Sequence, residues 1–390
     1  MSSVEHILLY CSMFLLAVLY EKEYSASTKP AVRLNRNSSL PVISLLLCAV
    51  YVFTEGLRYG RGVDQLGNYG PFYLHCTLKS AIEDKEILFV WLNQVIHSID
   101  LTIGVLPFGC IFIAFALIFW CCLWKFYKNY RKESKYFLLL AILATNYITE
   151  WTIRQGVSFS FILLGLYFLE KKNWRSLAIC VLIVFGIHHG NILTIAVLGA
   201  CYIFLNKKPL PWKITVPLFI VLEYTISSVT VITDFIQNMA LIFDFISSSG
   251  HFEGYLTNVE YTEYEQDMSE EWRRSTLTQL ITVLFYASIF IAGYFANKIK
   301  GGKSFIYNAF VLGMMIYEPF RLGGTLIRLF FPLSVFWFVP LSEALFHQKK
   351  VASPYKKIFN ISLFIVIAYL VMYYGRYVFF NPEAKYVWNI

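Results

Sequence analysis

Charge is scarce in this sequence. Only 15% of its 390 residues are Asp, Glu, Lys or Arg, whereas 57% are hydrophobic and the mean hydropathy is +0.57. A water-soluble chain of this length needs many more charges to cover its surface. Stretches of alternating polar and apolar residues are missing, which argues against a β-barrel. The eight cysteines offer no disulfide framework: Cys11, Cys48, Cys110, Cys121, Cys122, Cys180 and Cys201 lie in or beside apolar runs, and only Cys76 falls in a long polar stretch. No set of His, Cys and carboxylate residues has the spacing of zinc ligands, so no metal and no cofactor are expected. The first apolar run, about Ile7–Tyr20, has no basic residue before it and no small-residue cleavage site after it, and is expected to be an uncleaved helix. Internal repeats and low-complexity segments are lacking as well.

Long apolar runs, by contrast, recur from end to end at about the length that spans ~30 Å of hydrocarbon. They predict an all-α polytopic membrane protein, a single transmembrane domain over residues 1–390. The expected spans are twelve, near 5–20, 40–56, 101–124, 136–150, 151–169, 175–188, 190–205, 214–233, 276–296, 304–320, 325–345 and 358–375. Alternate connections, with Arg175 counted beside its loop, hold 22 of the 33 Lys and Arg residues but only five of the 25 acids, counting Glu343 near the end of the eleventh span with them. That asymmetry predicts the cytoplasmic side and puts both termini outside. It also accounts for the net charge of +8 without nucleic acid. Aromatic residues reach 18%, more than interfacial belts alone require.

The orientation has a chemical consequence, because ionisable groups at membrane depth are costly and usually functional. The unusual charges fall on the outer side: Arg58, Arg61 and Asp64 after the second span, Glu150 and Arg154 between the fourth and fifth, His188 and His189 after the sixth, Arg321 and Arg328 at the tenth and eleventh. Glycines surround Arg58, Arg61 and Asp64, and two arginines can clamp a phosphate. Asp64 either orients them or acts as a base. Arg154, one turn into a helix whose N-terminus faces outward, suits an anion; Glu150, four residues earlier, can pair with it on one helix face. Arg321 and Arg328, seven residues apart, share a face if one helix carries both, with Gly324 and Thr325 leaving room between them. Bland alternatives stand beside each of these: a structural ion pair, a hydrogen-bonded core histidine, an arginine snorkelling to the headgroups.

Two outer loops are long. Residues 57–100 carry Ile82, Leu88, Trp91, Leu92, Val95, Ile96 and Ile99 at helical spacing, which predicts an amphipathic helix on the outer surface. Residues 234–275 are acidic and aromatic; Tyr255, Tyr261, Tyr264 and Trp272 beside carboxylates suit sugar rings, and equally suit a solvated loop with interfacial anchors.

Arg58, Gly62, Asp64 and Tyr69, then Arg154–Gln155–Gly156, then His188, then Arg328 and Arg321, follow an order over residues 50–345 that resembles the EpsG-like group of Wzy-type polysaccharide polymerases. Ile187 and Gly190–Asn191 depart from that group's Phe and Ser-Ala around the histidine. The resemblance implies a metal-independent glycosyltransferase of the C-type fold in the bacterial inner membrane. Such an enzyme moves a growing glycan from undecaprenyl pyrophosphate onto the sugar end of another lipid-linked repeat unit at the periplasmic face. Its implied partners are that donor and acceptor, membrane lipid, a chain-length regulator and a flippase. Arg154, Arg321, Arg328 and one or both of Arg58 and Arg61 would hold the pyrophosphate. His188 or Asp64 would take the acceptor proton, with Glu150 next in line, and Tyr69 with the outer-loop aromatics would grip the glycan.

Two other classes compete. A lipid-linked-oligosaccharide flippase or other twelve-helix transporter should carry its charges at mid-membrane and show symmetry between halves, and neither is evident. A membrane acyltransferase would use the histidine but needs an acyl-donor path from the cytoplasm, which nothing marks.

Overall fold

The computed structural model describes residues 2–27, 40–59, 87–99, 109–150, 152–225, 276–320, 328–381 and 385–386. Nearly all of them are helical, and the chain divides into two compact units, residues 1–195 with 370–390 and residues 196–369.

The first unit contains α1 (Val4–Ser27), α2 (Leu40–Gly56), α3 (Ile87–Ile99), α4 (Gly109–Tyr130), α5 (Phe137–Glu150), α6 (Ile153–Glu170) and α7 (Trp174–Ile187). It also holds the start of α8 (Ile192–Phe204) and the end of α14 (Ser353–Phe379). A two-residue antiparallel pair joins β1 (Arg58–Tyr59) to β2 (Lys385–Tyr386). α6 packs between α4 and α7; α2 packs on α1 and α4; α5 touches α1 and α6. Gly56 permits the α2–α4 approach, since a Cβ there would stand 2.8 Å from the Cα of Ile113. At the opposite end of this unit the α6–α7 turn is set by Lys172 at φ 55 and by Asn173, whose side chain accepts the Ser176 N–H at 3.2 Å. There too the Glu21 carboxylate accepts the Leu138 N–H at 2.6 Å, and the Arg131 guanidinium lies over the Tyr24 ring at 4.8 Å.

α3 falls within the stretch where an amphipathic helix is expected, and it packs on its neighbours. Its Phe89 and Ile96 pack with Phe112 and Phe115 of α4, Ile153 and Val157 of α6 and Ile187 of α7, while Ile87 and Trp91 remain exposed.

The second unit contains α9 (Trp212–Thr225), α10 (Thr276–Lys300), α11 (Phe305–Tyr317), α12 (Phe331–Val335), α13 (Phe338–His347) and the first part of α14. α10 packs on α9 and α13, and α11 on α12. Gly301 and Gly302, at φ 69 and 71, stop α10. Asn308 binds the connection before α9: its amide donates to the carbonyls of Leu205 and Lys208, and its carbonyl accepts the Leu210 N–H at 2.8 Å. The single span expected over 325–345 is not one helix. Arg328–Phe330 forms a 3-10 turn, and α12 and α13 are separated at Phe336–Trp337. Pro340 lies four residues after Phe336 and has no N–H to continue the ladder. The Phe336 carbonyl instead accepts the Val339 N–H at 3.0 Å, closing a tighter turn.

Five described helices are long and apolar enough to cross a membrane: Val4–Ser25, Phe112–Tyr130, Ile153–Glu170, Thr276–Lys300 and Ser353–Phe379. Six shorter apolar helices accompany them. The outward faces agree with a lipid setting: Leu45, Leu182, Phe364 and Val371 are each about 70% exposed.

Candidate functional site

One end of the first unit gathers polar side chains that an apolar interior does not otherwise tolerate. α2 ends in Thr54-Glu55-Gly56, and Arg58 follows in β1. Glu55 and Arg58 are 4% and 3% exposed. Arg58 Nη1 donates to Glu55 Oε2 at 3.1 Å, and Nη2 donates to the backbone carbonyl of Thr149. The guanidinium carbon stands 5.7 Å from the Phe112 ring centroid. The backbone of Arg58 is held as well, opposite Tyr386 in the β1–β2 pair, and the Tyr386 hydroxyl lies 3.2 Å from His6 Nδ1.

α5 brings the second acid. Asn146, Thr149 and Glu150 recur at helical spacing on its last turn and share a face. Between them and Glu55 stands the Tyr10 hydroxyl of α1, 2.9 Å from Asn146 Oδ1, 3.2 Å from Glu55 Oε1 and 3.4 Å from Glu150 Oε1. It has one proton for three acceptors. The Tyr377 hydroxyl of α14 donates to Glu150 Oε1 at 2.6 Å and lies 3.3 Å from the Tyr10 hydroxyl. Thr149 Oγ1 is 3.4 Å from Glu55 Oε2. Two carboxylates, a guanidinium and two phenols from five elements are thereby joined into one buried network.

The chain then breaks. α5 ends at Glu150 and α6 starts at Ile153, with Thr152 at φ −127 and ψ 63. Gly156 makes the sharp junction possible: a Cβ there would fall 2.5 Å from the Ile148 carbonyl oxygen. Arg154 is the second residue of α6 and partly exposed, beside N–H groups that have no partner within the helix. Glu150 and Arg154 therefore lie on two helices, and the expected shared face of a single helix does not exist.

The turn after α7 meets the start of α6. Gln155 Nε2 donates to Asn191 Oδ1 at 3.3 Å, and Asn191 Nδ2 returns a bond to the Gln155 carbonyl at 3.1 Å. His188 caps α7 in an extended conformation at φ −155 and ψ 95, partly exposed, with its ring centroid 6.0 Å from that of His189. Arg154 and His188 thus belong to neighbouring turns pinned by one amide pair. A small, mainly apolar recess between α2, α4 and α6 runs from Arg58 and Thr149 past Phe112 to Gly156, linking the buried network to the first turn of α6.

Of the residues expected at the site, Arg58, Glu150, Arg154 and His188 come to this end of the first unit. Arg58 is enclosed by protein groups, and its two terminal nitrogens already serve Glu55 and Thr149. Arg328 lies in the second unit in a 3-10 turn, with its side chain outside the described residues. Arg61, Asp64, Tyr69, Arg321, Tyr255, Tyr261, Tyr264 and Trp272 also lie outside them. Sequence reasoning missed Glu55, Tyr10, Asn146, Thr149 and Tyr377. A signal existed for two of these: Glu55 stands three residues before Arg58, and Asn146 four before Glu150. Nothing local marks Tyr10 or Tyr377, which are 367 residues apart.

Apolar helices of membrane-crossing length, with charge buried at one end, define a helical membrane protein. The sequence matches the EpsG family over residues 42–388, and the chain belongs to that family, which is associated with glycosyltransferase-like polysaccharide polymerases. No curated protein and no solved structure matches it.

Proposed function

We propose that this chain is a polysaccharide polymerase of the bacterial inner membrane. It transfers a growing glycan from undecaprenyl pyrophosphate to the sugar end of a second lipid-linked repeat unit on the periplasmic side. The observation that carries the reading is that Arg154, in the first turn of α6, and His188, at the end of α7, lie on segments joined by the Gln155–Asn191 amide pair, in a chain of the EpsG family.

A pyrophosphate leaving group needs cations to take up its charge, and a sugar hydroxyl needs a base. Arg154 supplies a planar fork beside the N-terminal N–H groups of α6, and Arg61, Arg321 and Arg328 are assigned to the same anion. His188 is the preferred base, because imidazole is the side chain most often used to take a proton in catalysis. Asp64 then orients the arginines or the acceptor. Glu150, 2% exposed and bonded to Tyr377, fits a holding role better than that of a base. The aromatic loop 234–275 and Tyr69 are assigned to the glycan. Twelve crossings with both termini periplasmic complete the reading.

Purified protein incubated with lipid-linked repeat units should yield a ladder of longer lipid-linked products. Movement of unchanged repeat units across a vesicle membrane without any ladder would replace polymerisation by transport.

A further inference from the structure

We infer that Tyr10 and Tyr377, from the first and last helices of the unit, are positioning residues for Arg154. They act through the buried Glu55–Arg58–Glu150 network, in which Arg58 organises the α5–α6 junction instead of binding the donor. The inference rests on the proposed role of Arg154 in holding pyrophosphate.

The argument follows the hydrogen bonds. α5 ends at Glu150 and α6 begins at Ile153; at the junction the Thr152 hydroxyl donates to the Ile148 carbonyl at 3.3 Å, and the Gly156 N–H donates to the Thr152 carbonyl at 2.7 Å. From one side, Gly156 lies against the Ile148 carbonyl. From the other, Arg58 Nη2 grips the Thr149 carbonyl just before the break. Arg58 can do this only while its fork is oriented, and Glu55 Oε2 takes the neighbouring Nη1. Glu55 must in turn be held against rotation, and its second oxygen meets the Tyr10 hydroxyl at 3.2 Å. Tyr10 also reaches Asn146 and Glu150 on the last turn of α5, and Tyr377 fixes Glu150 from the far end of the chain at 2.6 Å. Each hydroxyl therefore ties the carboxylates to the turn from which Arg154 departs. A buried guanidinium with 3% exposure, both ends engaged, suits a brace better than a ligand-binding arm. Misplacing a reacting or binding group by ~1 Å can cost on the order of a hundredfold in rate. Losing one hydroxyl should loosen the junction by less than that.

The test uses full-length wild type, Tyr377→Phe, Glu150→Gln, their double variant, and Tyr373→Phe as a control on the 50%-exposed neighbour one turn away. Initial rates are read across concentrations of lipid-linked repeat unit, and binding of a short-chain prenyl pyrophosphate is read by thermal shift. Tyr377→Phe should lower kcat/KM by about tenfold, the size of one lost hydrogen bond to a charged group, and should weaken prenyl pyrophosphate binding with it. The double variant should be no worse than Glu150→Gln, because the hydroxyl acts through that carboxylate. A merely structural tyrosine would lower the yield of folded protein and leave kcat/KM per folded molecule and the coupling untouched, and that result overturns the inference. If wild type made no polymer, the polymerase reading would fall. The thermal shift would then decide alone: weaker prenyl pyrophosphate binding in Tyr377→Phe than in wild type keeps the positioning role, and equal or absent binding in both removes it.

Discussion

Two ion pairs on buried carboxylates invite comparison, one in each unit. Arg58–Glu55 and Lys300–Glu343 each set a cation against a helical carboxylate that is 4% or 2% exposed. Lys300 Nζ donates to Glu343 Oε1 at 2.6 Å, and Asn297 Nδ2 covers the other oxygen at 3.3 Å. That arrangement ties α10 to α13. Glu55, by contrast, meets Arg58 beside it, Tyr10 from α1 and Thr149 from α5. Its cation is an arginine, whose fork reaches a second partner, the Thr149 carbonyl, that a lysine point charge would not hold at the same time. One pair is a fastener between two helices. The other is a node through which distant segments agree on one geometry. Buried pairs add little stability for their own sake, because desolvation offsets the attraction. A node with this many partners is therefore better explained by what it holds in place.

The largest expected effect falls where the node delivers its geometry. Arg154→Ala should abolish polymer while the protein remains in the membrane at normal level, and Arg154→Lys should also be poor because a point charge replaces a planar fork. Full-length polymer from Arg154→Ala would separate the node from catalysis and leave it a purely structural feature. His188→Ala comes next: turnover should fall by about 10²–10⁴-fold, the usual contribution of a general base, with donor binding retained. Asp64→Asn should weaken donor binding as well. Measuring both variants in the same membranes decides the assignment; normal turnover in His188→Ala together with a dead Asp64→Asn that binds donor well would exchange their roles.

Much of this architecture could be read from composition and spacing. The edges of α2, α5, α6 and α7 fall within two or three residues of the expected spans, because apolar runs end at Gly56, at the Glu150–Thr152 break and at the Lys171–Asn173 turn. Local punctuation sets such boundaries. The interruption between α12 and α13 was less legible, although Pro340 is visible, since proline inside an apolar run can equally kink a helix as divide it. At the site, charged residues announced themselves because charge is rare in this chain. Tyr10 and Tyr377 did not, because tyrosine is common here, with 27 copies, and one phenol in a network looks the same in sequence as one in an interfacial belt. Nor could sequence foresee that Arg58 is enclosed. Its side chain meets Thr149 and Phe112, which are distant in sequence, and its backbone pairs with β2, which returns from the far end of the chain.

The smallest expected change in turnover sharpens the comparison most. Lys300→Met alone strands the buried Glu343 carboxylate and should destabilise the protein by about 3–5 kcal/mol, the cost of breaking rather than replacing a buried pair. Lys300→Met combined with Glu343→Leu removes both charges, so melting temperature should return close to wild type or rise above it. Turnover per folded molecule should stay within about twofold, because the bonds of this pair run between α10 and α13 of the second unit. The matching replacement in the first unit, Arg58→Met with Glu55→Leu, also removes a buried pair without leaving a lone charge. It too should recover melting temperature relative to either single variant, yet it deletes the grip on the Thr149 carbonyl and leaves the Tyr10 hydroxyl without the Glu55 acceptor. Its turnover should therefore stay low when its stability does not. Thermal melts and rates on the two double variants measure both quantities at once. Equal turnover in the two would mean that Arg58–Glu55 is a fastener like the other, and that the direction of α6 is set by Gly156 and its neighbours alone.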